Sequence, residues 1–351
     1  MSIITYRYRI KDSTSGARLA RMASAVNFVW NFCQEVSLLA FRREKRFLSA
    51  FDLITLTIGA SKDLGIHSDT ISEICRQYVQ SRTHHKGIRL KWRSKKRSLG
   101  WVPFTLRAIN LQGDTVFYRG HTFRFWLSRP LQGIIKTGSF SQDARRHWYV
   151  NFHCEVEDPG FPTGEAELGI DLGLQDQIVC SDGVKYSREN LTRRHKDSLA
   201  MADRAHKKRR VKAIHAKVAN QRKDWAHKTT TTIIRRACII AIGNVSSARL
   251  LKTNMAASVM DAGWSRIRSM LAYKAIRLGV EYCEVNESWS SVTCSACGNR
   301  TGPRGLSHLD VREWCCDDCG TVHDRDTNAA QNILHTLRSG RRTPTGILSR
   351  Q

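Results

Sequence analysis

The residues best suited to chemistry lie near the C-terminal end of the 351-residue chain. Cys294-x-x-Cys297 and Cys316-x-x-Cys319 are separated by 18 residues, and His323-Asp-Arg-Asp326-Thr-Asn328-Ala-Ala follows directly. Two such pairs at this distance fit a four-cysteine zinc ribbon. Each pair bends back so that both thiolates reach one ion, and two pairs complete a tetrahedron. Four thiolates leave no open position, so the zinc is expected to be structural rather than catalytic. Cys315 adjoins the ribbon as a spare ligand, but the register favours Cys316. The second chemistry is carboxylate chemistry. Asp171 lies in Leu168-Gly-Ile-Asp171-Leu-Gly-Leu, and Asp326 follows the ribbon in an acidic, helix-starting segment. Carboxylates at strand ends can hold two Mg²⁺ ions that activate a water and stabilise the leaving oxygen of a phosphodiester. Oxygen ligands with several retained waters suit Mg²⁺ rather than zinc there.

Positioning these groups needs a particular order of elements. Leu168-Gly-Ile-Asp171 reads as a strand, followed by Ile178-Val-Cys180 and a Ser-Asp-Gly183 turn. A long basic helix is expected from about 190 to 235, with Val211, Ile214, Val218 and Trp225 on one stripe. Arg236 to Ile242 reads as a buried strand ending at Gly243. A helix with Trp264, Ile267, Leu271, Ala275 and Leu278 on its inner face follows and closes at Gly279. Val280 to Val285 is the next strand, and a last helix is expected from Asn328 to Leu337. This is the order of an RNase H-like α/β fold.

The N-terminal half reads differently. Ile4, Tyr6, Tyr8 and Ile10 alternate with Thr5, Arg7 and Arg9, as in a half-buried strand with a basic outer face. Residues 13–95 read as helical, with Val26, Val29, Trp30, Cys33 and Val36 at helical spacing. From about 99 to 160 short strands and turns indicate a small barrel, which the first strand would complete around a helical insertion. Asp158-Pro-Gly-Phe-Pro-Thr-Gly164 reads as a linker and the basic tail from Arg341 as disordered.

Composition narrows the partners. Lys and Arg total 57 against 31 Asp and Glu, a net charge of +26. That charge self-repels, so a polyanionic partner is expected. Lys207, Lys208, Arg209 and Arg210, with Arg7 and Arg9, are the candidate nucleic-acid contacts. The longest apolar run, Ala237 to Ile242, is too short to span a bilayer. The first residues carry no apolar signal core, so 11 cysteines point to a reducing compartment. Outside the ribbon, Cys33, Cys75, Cys154, Cys180, Cys238 and Cys283 read as small core residues.

Gly169-Ile-Asp171-Leu-Gly, Ser290-Ser-Val-Thr-Cys294-Ser-Ala-Cys297-Gly, Cys316-Asp-Asp-Cys319-Gly and His323-Asp-Arg-Asp326-Thr-Asn-Ala-Ala-Gln-Asn-Ile together resemble the TnpB family. These are transposon-encoded, RNA-guided RuvC-like nucleases related to type V CRISPR effectors. The motif match covers residues 165–336, while residues 1–160 match only in layout. The resemblance implies a multidomain α+β chain. Its parts would be a wedge β-barrel (1–12 and 96–160) with an inserted helical recognition lobe (13–95), a RuvC-like domain (165–292 and 322–337) with an inserted zinc ribbon (293–321), and a basic tail (338–351). It also implies a guide RNA from the transposon end, a double-stranded DNA target beside a short flanking motif, Zn²⁺ and Mg²⁺ as cofactors, a monomer in the ribonucleoprotein, and a prokaryotic, cytoplasmic, nucleoid-associated setting without a membrane.

One position departs from the family. Its usual second acidic residue is a Glu just after the buried strand, where this chain has Gly243. Glu287 ends the next strand, 44 positions later. Those strands are parallel neighbours in the RNase H order, about 4.8 Å apart, so a lateral step of one strand brings Glu287 to the same ion. A subset of the family resembles this arrangement. The catalytic set is then Asp171, Glu287 and Asp326, with Glu284 as runner-up for the second place and an ordinary surface turn as the other reading of Glu287. The alternative function is a nuclease-inactive, RNA-guided DNA-binding repressor that lost its glutamate at 243.

Overall fold

The computed structural model describes residues 2–85, 89–157, 164–244, 262–304 and 311–340. The chain forms two compact units, Met1–Glu157 and Asp158–Gln351. Residues 158–163 of the expected linker, and the tail from Arg341, lie outside the described residues.

In the first unit, β1 (Ser2–Arg9) buries Tyr6 and Tyr8 and exposes Thr5, Arg7 and Arg9. The chain then leaves the sheet at Asp12, whose carboxylate accepts from the Ser15 amide at 2.6 Å and so caps α1 (Ser13–Glu44). Three more helices follow: α2 (Ala50–Leu56), α3 (Ser61–Leu64) and α4 (Ser68–His85). The expected helical block to residue 95 ends at His85 instead. The reason lies in the side chains of α1. Gln34 Oε1 accepts from the Leu90 amide at 3.2 Å and Asn31 Oδ1 from the Arg93 amide at 2.9 Å, taking backbone groups that a helix would use.

The strands β2 (Trp101–Thr105), β3 (Ile109–Gln112), β4 (Thr115–Tyr118), β5 (His121–Arg124), β6 (Ile134–Gln142) and β7 (Trp148–Val156) complete this unit. They form two antiparallel sheets, in the orders β1-β7-β6-β2 and β3-β4-β5, linked by the bridge Ile10–Phe125. The first strand therefore pairs with the last, across the helices inserted between β1 and β2. Buried Phe104, Phe123, Phe125, Phe140 and Phe152 fill the space between the strands.

In the second unit, β8 (Ala166–Asp171), β9 (Asp176–Cys180) and β10 (Lys185–Ser187) run antiparallel in turn. Gly183, at φ 83°, makes the turn between β9 and β10. The expected single helix from 190 to 235 is three helices: α5 (Leu191–Arg194), α6 (Lys196–Arg204) and α7 (Lys208–Arg236). His206 adopts a left-handed φ of 50°, which breaks the helical ladder before α7 starts. Next come β11 (Ala237–Gly243), α8 (Trp264–Leu278), β12 (Glu281–Val285), the short ribbon strands β13 (Glu313–Cys315) and β14 (Val322–Asp324), and α9 (Arg325–Arg338).

The five-stranded sheet has the order β10-β9-β8-β11-β12, with β11 parallel to both β8 and β12. Helices cover both of its faces, and alternate strand residues serve each side. Leu168, Ile170, Ile240 and Ile242 join the cluster containing Ile233 and Ile234 of α7 and Trp264, Ile267 and Leu271 of α8. Ala241 and Val285 join Ile333, Leu334 and Leu337 of α9. Cys33, Cys75, Cys154 and Cys180 are buried as expected, whereas Cys238 and Cys283 are half-buried.

Candidate active site and metal centre

α9 lies along β8 and brings its first turn to the end where Asp171 sits. Three features mark the alignment. At its far end Arg338 makes a two-pronged ion pair with Glu167, at 2.9 and 2.7 Å. In the middle, a Cβ on Gly169 would overlap the Ala330 carbonyl, so only glycine permits this approach. At the near end Asp171 lies in the electrostatic field of Asp326. Residues 167, 169 and 171 alternate onto one face of the strand, which is why one helix meets all three.

Gly243 carries the same logic across the sheet. It pairs with Val285 of the parallel neighbour β12, and the Asn244 amide donates to the Val285 carbonyl at 3.0 Å. A Cβ on Gly243 would stand 2.5 Å from Glu287 Oε2, 3.1 Å from Glu287 Cβ and 3.3 Å from Ile333 Cδ1. The Glu287 side chain thus lies over the position that a side chain at 243 would occupy. It also acts directly on Asp171. Burial first, then the charges of Glu287 and Asp326, push the Asp171 carboxyl up to about 7. Glu284 is arranged otherwise, accepting from the Tyr282 hydroxyl at 3.0 Å.

The two aspartates around the α9 N-terminus divide the work. Asp324 caps the helix by accepting from the Thr327 amide at 2.9 Å, and it pairs with Lys185 Nζ at 2.7 Å. Asp326, in the first turn, faces Arg312, whose Nη1 lies 3.1 Å from Asp326 Oδ2. Sequence reasoning did not find Arg312, because nothing in the spacing distinguishes it from Arg300 and Arg304 between the same cysteine pairs. It also missed Asn328 and Asn332, although their i, i+4 spacing after Asp326 places both on one helix face. Both amides donate to the Thr293 carbonyl, at 2.8 and 2.6 Å, and to the Ser290 carbonyl, at 3.3 and 2.8 Å. Asn328 Oδ1 accepts from the Ser295 amide at 2.8 Å. These bonds lock the segment after Glu287 onto the helix that bears Asp326.

The four expected ribbon cysteines come together, with their sulfurs all within 4.8 Å of one another. The Sγ–Sγ distances Cys294–Cys319 and Cys297–Cys316 are both 3.6 Å. A tetrahedron with Zn–S of about 2.3 Å has edges of about 3.8 Å, so the donor set fits zinc. Two matching turns present the thiols. The Gly298 amide donates to the Cys294 carbonyl and the Gly320 amide to the Cys316 carbonyl, both at 2.9 Å, and both glycines have positive φ. The Thr301 hydroxyl first, and then nearby backbone amides, hold the Cys316 thiol down to about 6, toward the thiolate that a metal needs. Cys315 points elsewhere, to the Gly320 carbonyl at 3.4 Å.

Lys207 forms the N-cap of α7, and Lys208, Arg209 and Arg210 its first turn, with all four exposed. Cations at a helix N-terminus oppose the helix dipole, so helix stability does not explain them. In the first unit Arg7 and Arg9 are exposed, and the Arg7 guanidinium stacks 3.9 Å above the Tyr149 ring.

Comparison with known proteins bears on this geometry. The model of the Cas12f1-like TNB domain matches residues 264–333, from α8 through the ribbon into α9. A protein of Streptomyces pristinaespiralis named "Putative RNA-guided DNA endonuclease" is 34% identical over 262 residues, covering 70% of this chain and 64% of that protein. InsQ of Escherichia coli K12, with the same description, is 27% identical over 241 residues, covering 60% of this chain and 59% of its own. Over these stretches the chain is similar to RNA-guided endonucleases, and mimivirus proteins named TnpB-like match 59–62% of it at 26–27% identity. The chain's match spans less than two thirds of the length of the Streptomyces or the Escherichia coli protein. The Cas12f1 chain of the solved Cas12f1–sgRNA–target DNA complex shares the fold of this chain. The TM-score is 0.57 at 13% identity, over 92% of this chain and 83% of the Cas12f1 chain. Among the described residues, no helix is long and apolar enough to cross a membrane.

Proposed function

We propose that this chain is an RNA-guided DNA endonuclease whose RuvC-like active site consists of Asp171, Glu287 and Asp326. The observation that carries this reading is the Glu287 side chain over Gly243, close enough to Asp171 to raise its affinity for a proton. Three carboxylates at the ends of neighbouring elements repel one another. Cations relieve that repulsion, and the all-oxygen donor set suits Mg²⁺. Bound there, Mg²⁺ would supply Lewis-acid activation of the attacking water and of the scissile phosphate. The protein's part is to hold the carboxylates in place: Asp171 at the end of a central strand, Asp326 in a capped helix, and Glu287 in a segment pinned by Asn328 and Asn332. Arg312 neutralises Asp326 in the structure and stands ready to meet a phosphate once a cation takes that carboxylate.

The ribbon holds Zn²⁺ through Cys294, Cys297, Cys316 and Cys319 and secures the same segment from the other side. A guide RNA from the transposon end is the polyanion expected by the +26 charge, with Arg7, Arg9 and Lys207 to Arg210 as contributors. The names of the relatives support a DNA target, and the target proposed here is double-stranded. The test is cleavage of a plasmid carrying a guide-matched target by the copurified ribonucleoprotein in Mg²⁺. Cutting that needs both the guide and Asp171 is expected. Guided binding without any cutting in Mg²⁺ or Mn²⁺ would leave the repressor-like alternative.

A further inference from the structure

Trp289 stands out in the segment between Glu287 and the ribbon. Its φ is 71°, in the left-handed region that a bulky residue occupies only under strain. Half of its surface is exposed. The backbone conformation does not favour this choice, since glycine or asparagine would hold the same turn at lower cost and with less exposed apolar area. The conformation is nevertheless fixed. The Val292 and Thr293 amides both donate to the Trp289 carbonyl, at 3.1 and 2.9 Å, and the Ser290 amide donates to the Glu287 carbonyl at 3.0 Å. The next carbonyl, that of Ser290, is held by Asn328 and Asn332 of α9. The Trp289 backbone is thus registered to both Glu287 and the Asp326 helix.

Two cations flank it. The Arg300 guanidinium lies 4.9 Å from the ring centroid and that of Arg304 5.7 Å. A strained, exposed aromatic with two arginines is a costly surface that an apolar partner does not explain. A nucleobase stacks on an aromatic face or a guanidinium plane, and its phosphates pair with the cations. Strain kept at an exposed, over-determined position is a mark of function.

We propose that Trp289, with Arg300 and Arg304, is a stacking platform for one base of a single DNA strand. In that role it positions the strand so that a neighbouring phosphodiester enters the carboxylate site. This rests on the nuclease reading above. Trp289 touches no reacting atom and is a positioning residue.

The experiment measures binding of a fluorescent single-stranded oligonucleotide to the ribonucleoprotein in Ca²⁺, and separately its cleavage in Mg²⁺. Each is done for wild type, Trp289→Phe, Trp289→Ala and Trp289→Gly. A lost base–aromatic stack is worth about 1–3 kcal/mol, or about 5- to 150-fold in affinity. Trp289→Ala and Trp289→Gly are expected to bind in that range more weakly, and Trp289→Phe to keep most of the affinity. Trp289→Gly suits the left-handed φ, so it should melt no lower than wild type while losing binding, which separates platform from scaffold. Scanning the strand with one abasic site should find a position that weakens wild type but not Trp289→Gly. Equal binding by wild type and Trp289→Gly, or equal sensitivity of both to every abasic position, would overturn the platform. A wild type that binds through Trp289 yet never cuts would instead overturn the nuclease reading and leave the platform standing.

Discussion

At Asp171 the fold opposes the charge that a metal would need. The unfolded chain releases this proton near pH 3.8, while burial and the neighbouring carboxylates hold it in the folded protein up to about 7. Between those values the folded state binds the extra proton, so metal-free stability falls as pH rises, by at most about 1.4 kcal/mol per pH unit. Asp171→Asn keeps the shape and removes the charge. Without Mg²⁺ it is expected to melt higher than wild type at pH 8, with the gap shrinking toward pH 5. Thermal melts across that range check this, and a variant less stable than wild type at pH 8 would count against three clustered carboxylates. Glu287 shows how little of such a site is local in sequence. It lies 44 positions after Gly243 in sequence, and its side chain covers that position because β11 and β12 lie side by side, as the expected strand order implies.

At the scale of elements, hydrophobic period and turn residues made most of the second unit legible. β8, β11, β12 and α8 fall where alternation and helical spacing place them, because buried strands and a helix with an apolar stripe leave strong patterns. The Cys-x-x-Cys spacing gave the ribbon for a similar reason, since tetrahedral geometry restricts it. Other features were not legible. The break at His206 depends on one residue in a left-handed conformation within a run that reads as helical. The end of the helical block at His85 depends on side chains of α1 more than 50 residues away in sequence. The Arg312–Asp326 pair likewise joins residues with no shared pattern. The ribbon is also where metal and folding should be coupled. Cys316→Ser is expected to lower bound zinc from about one ion per chain toward none. Because ribbon binding energy is largely folding energy, it should also expose the second unit to proteolysis while leaving the first unit protected. Elemental analysis with limited proteolysis reads both, and well-folded wild type without zinc would contradict the site.

For the whole molecule, a net charge of +26 sets the dominant long-range force. Each phosphate neutralised by Lys or Arg releases counterions, so the logarithm of the affinity for the guide falls linearly with log salt, with a slope set by the number of phosphates neutralised. Replacing Lys207, Lys208, Arg209 and Arg210 together by Ala is expected to make that slope shallower, by up to about 0.7–0.9 for every phosphate left without its cation. Titrations at several salt concentrations check this, and an unchanged slope would remove α7 from the RNA-binding surface.

The relocated carboxylate is the claim on which the nuclease reading depends, and one comparison tests it directly. Guided plasmid cleavage in Mg²⁺ is measured for wild type and Glu287→Ala, with guided DNA binding measured on the same preparations. Cleavage by Glu287→Ala is expected to fall at least about 100-fold, on the order of the loss of one electrostatic stabiliser in a preorganised site, while binding stays within about threefold. Cleavage by Glu287→Ala at the wild-type rate would contradict it.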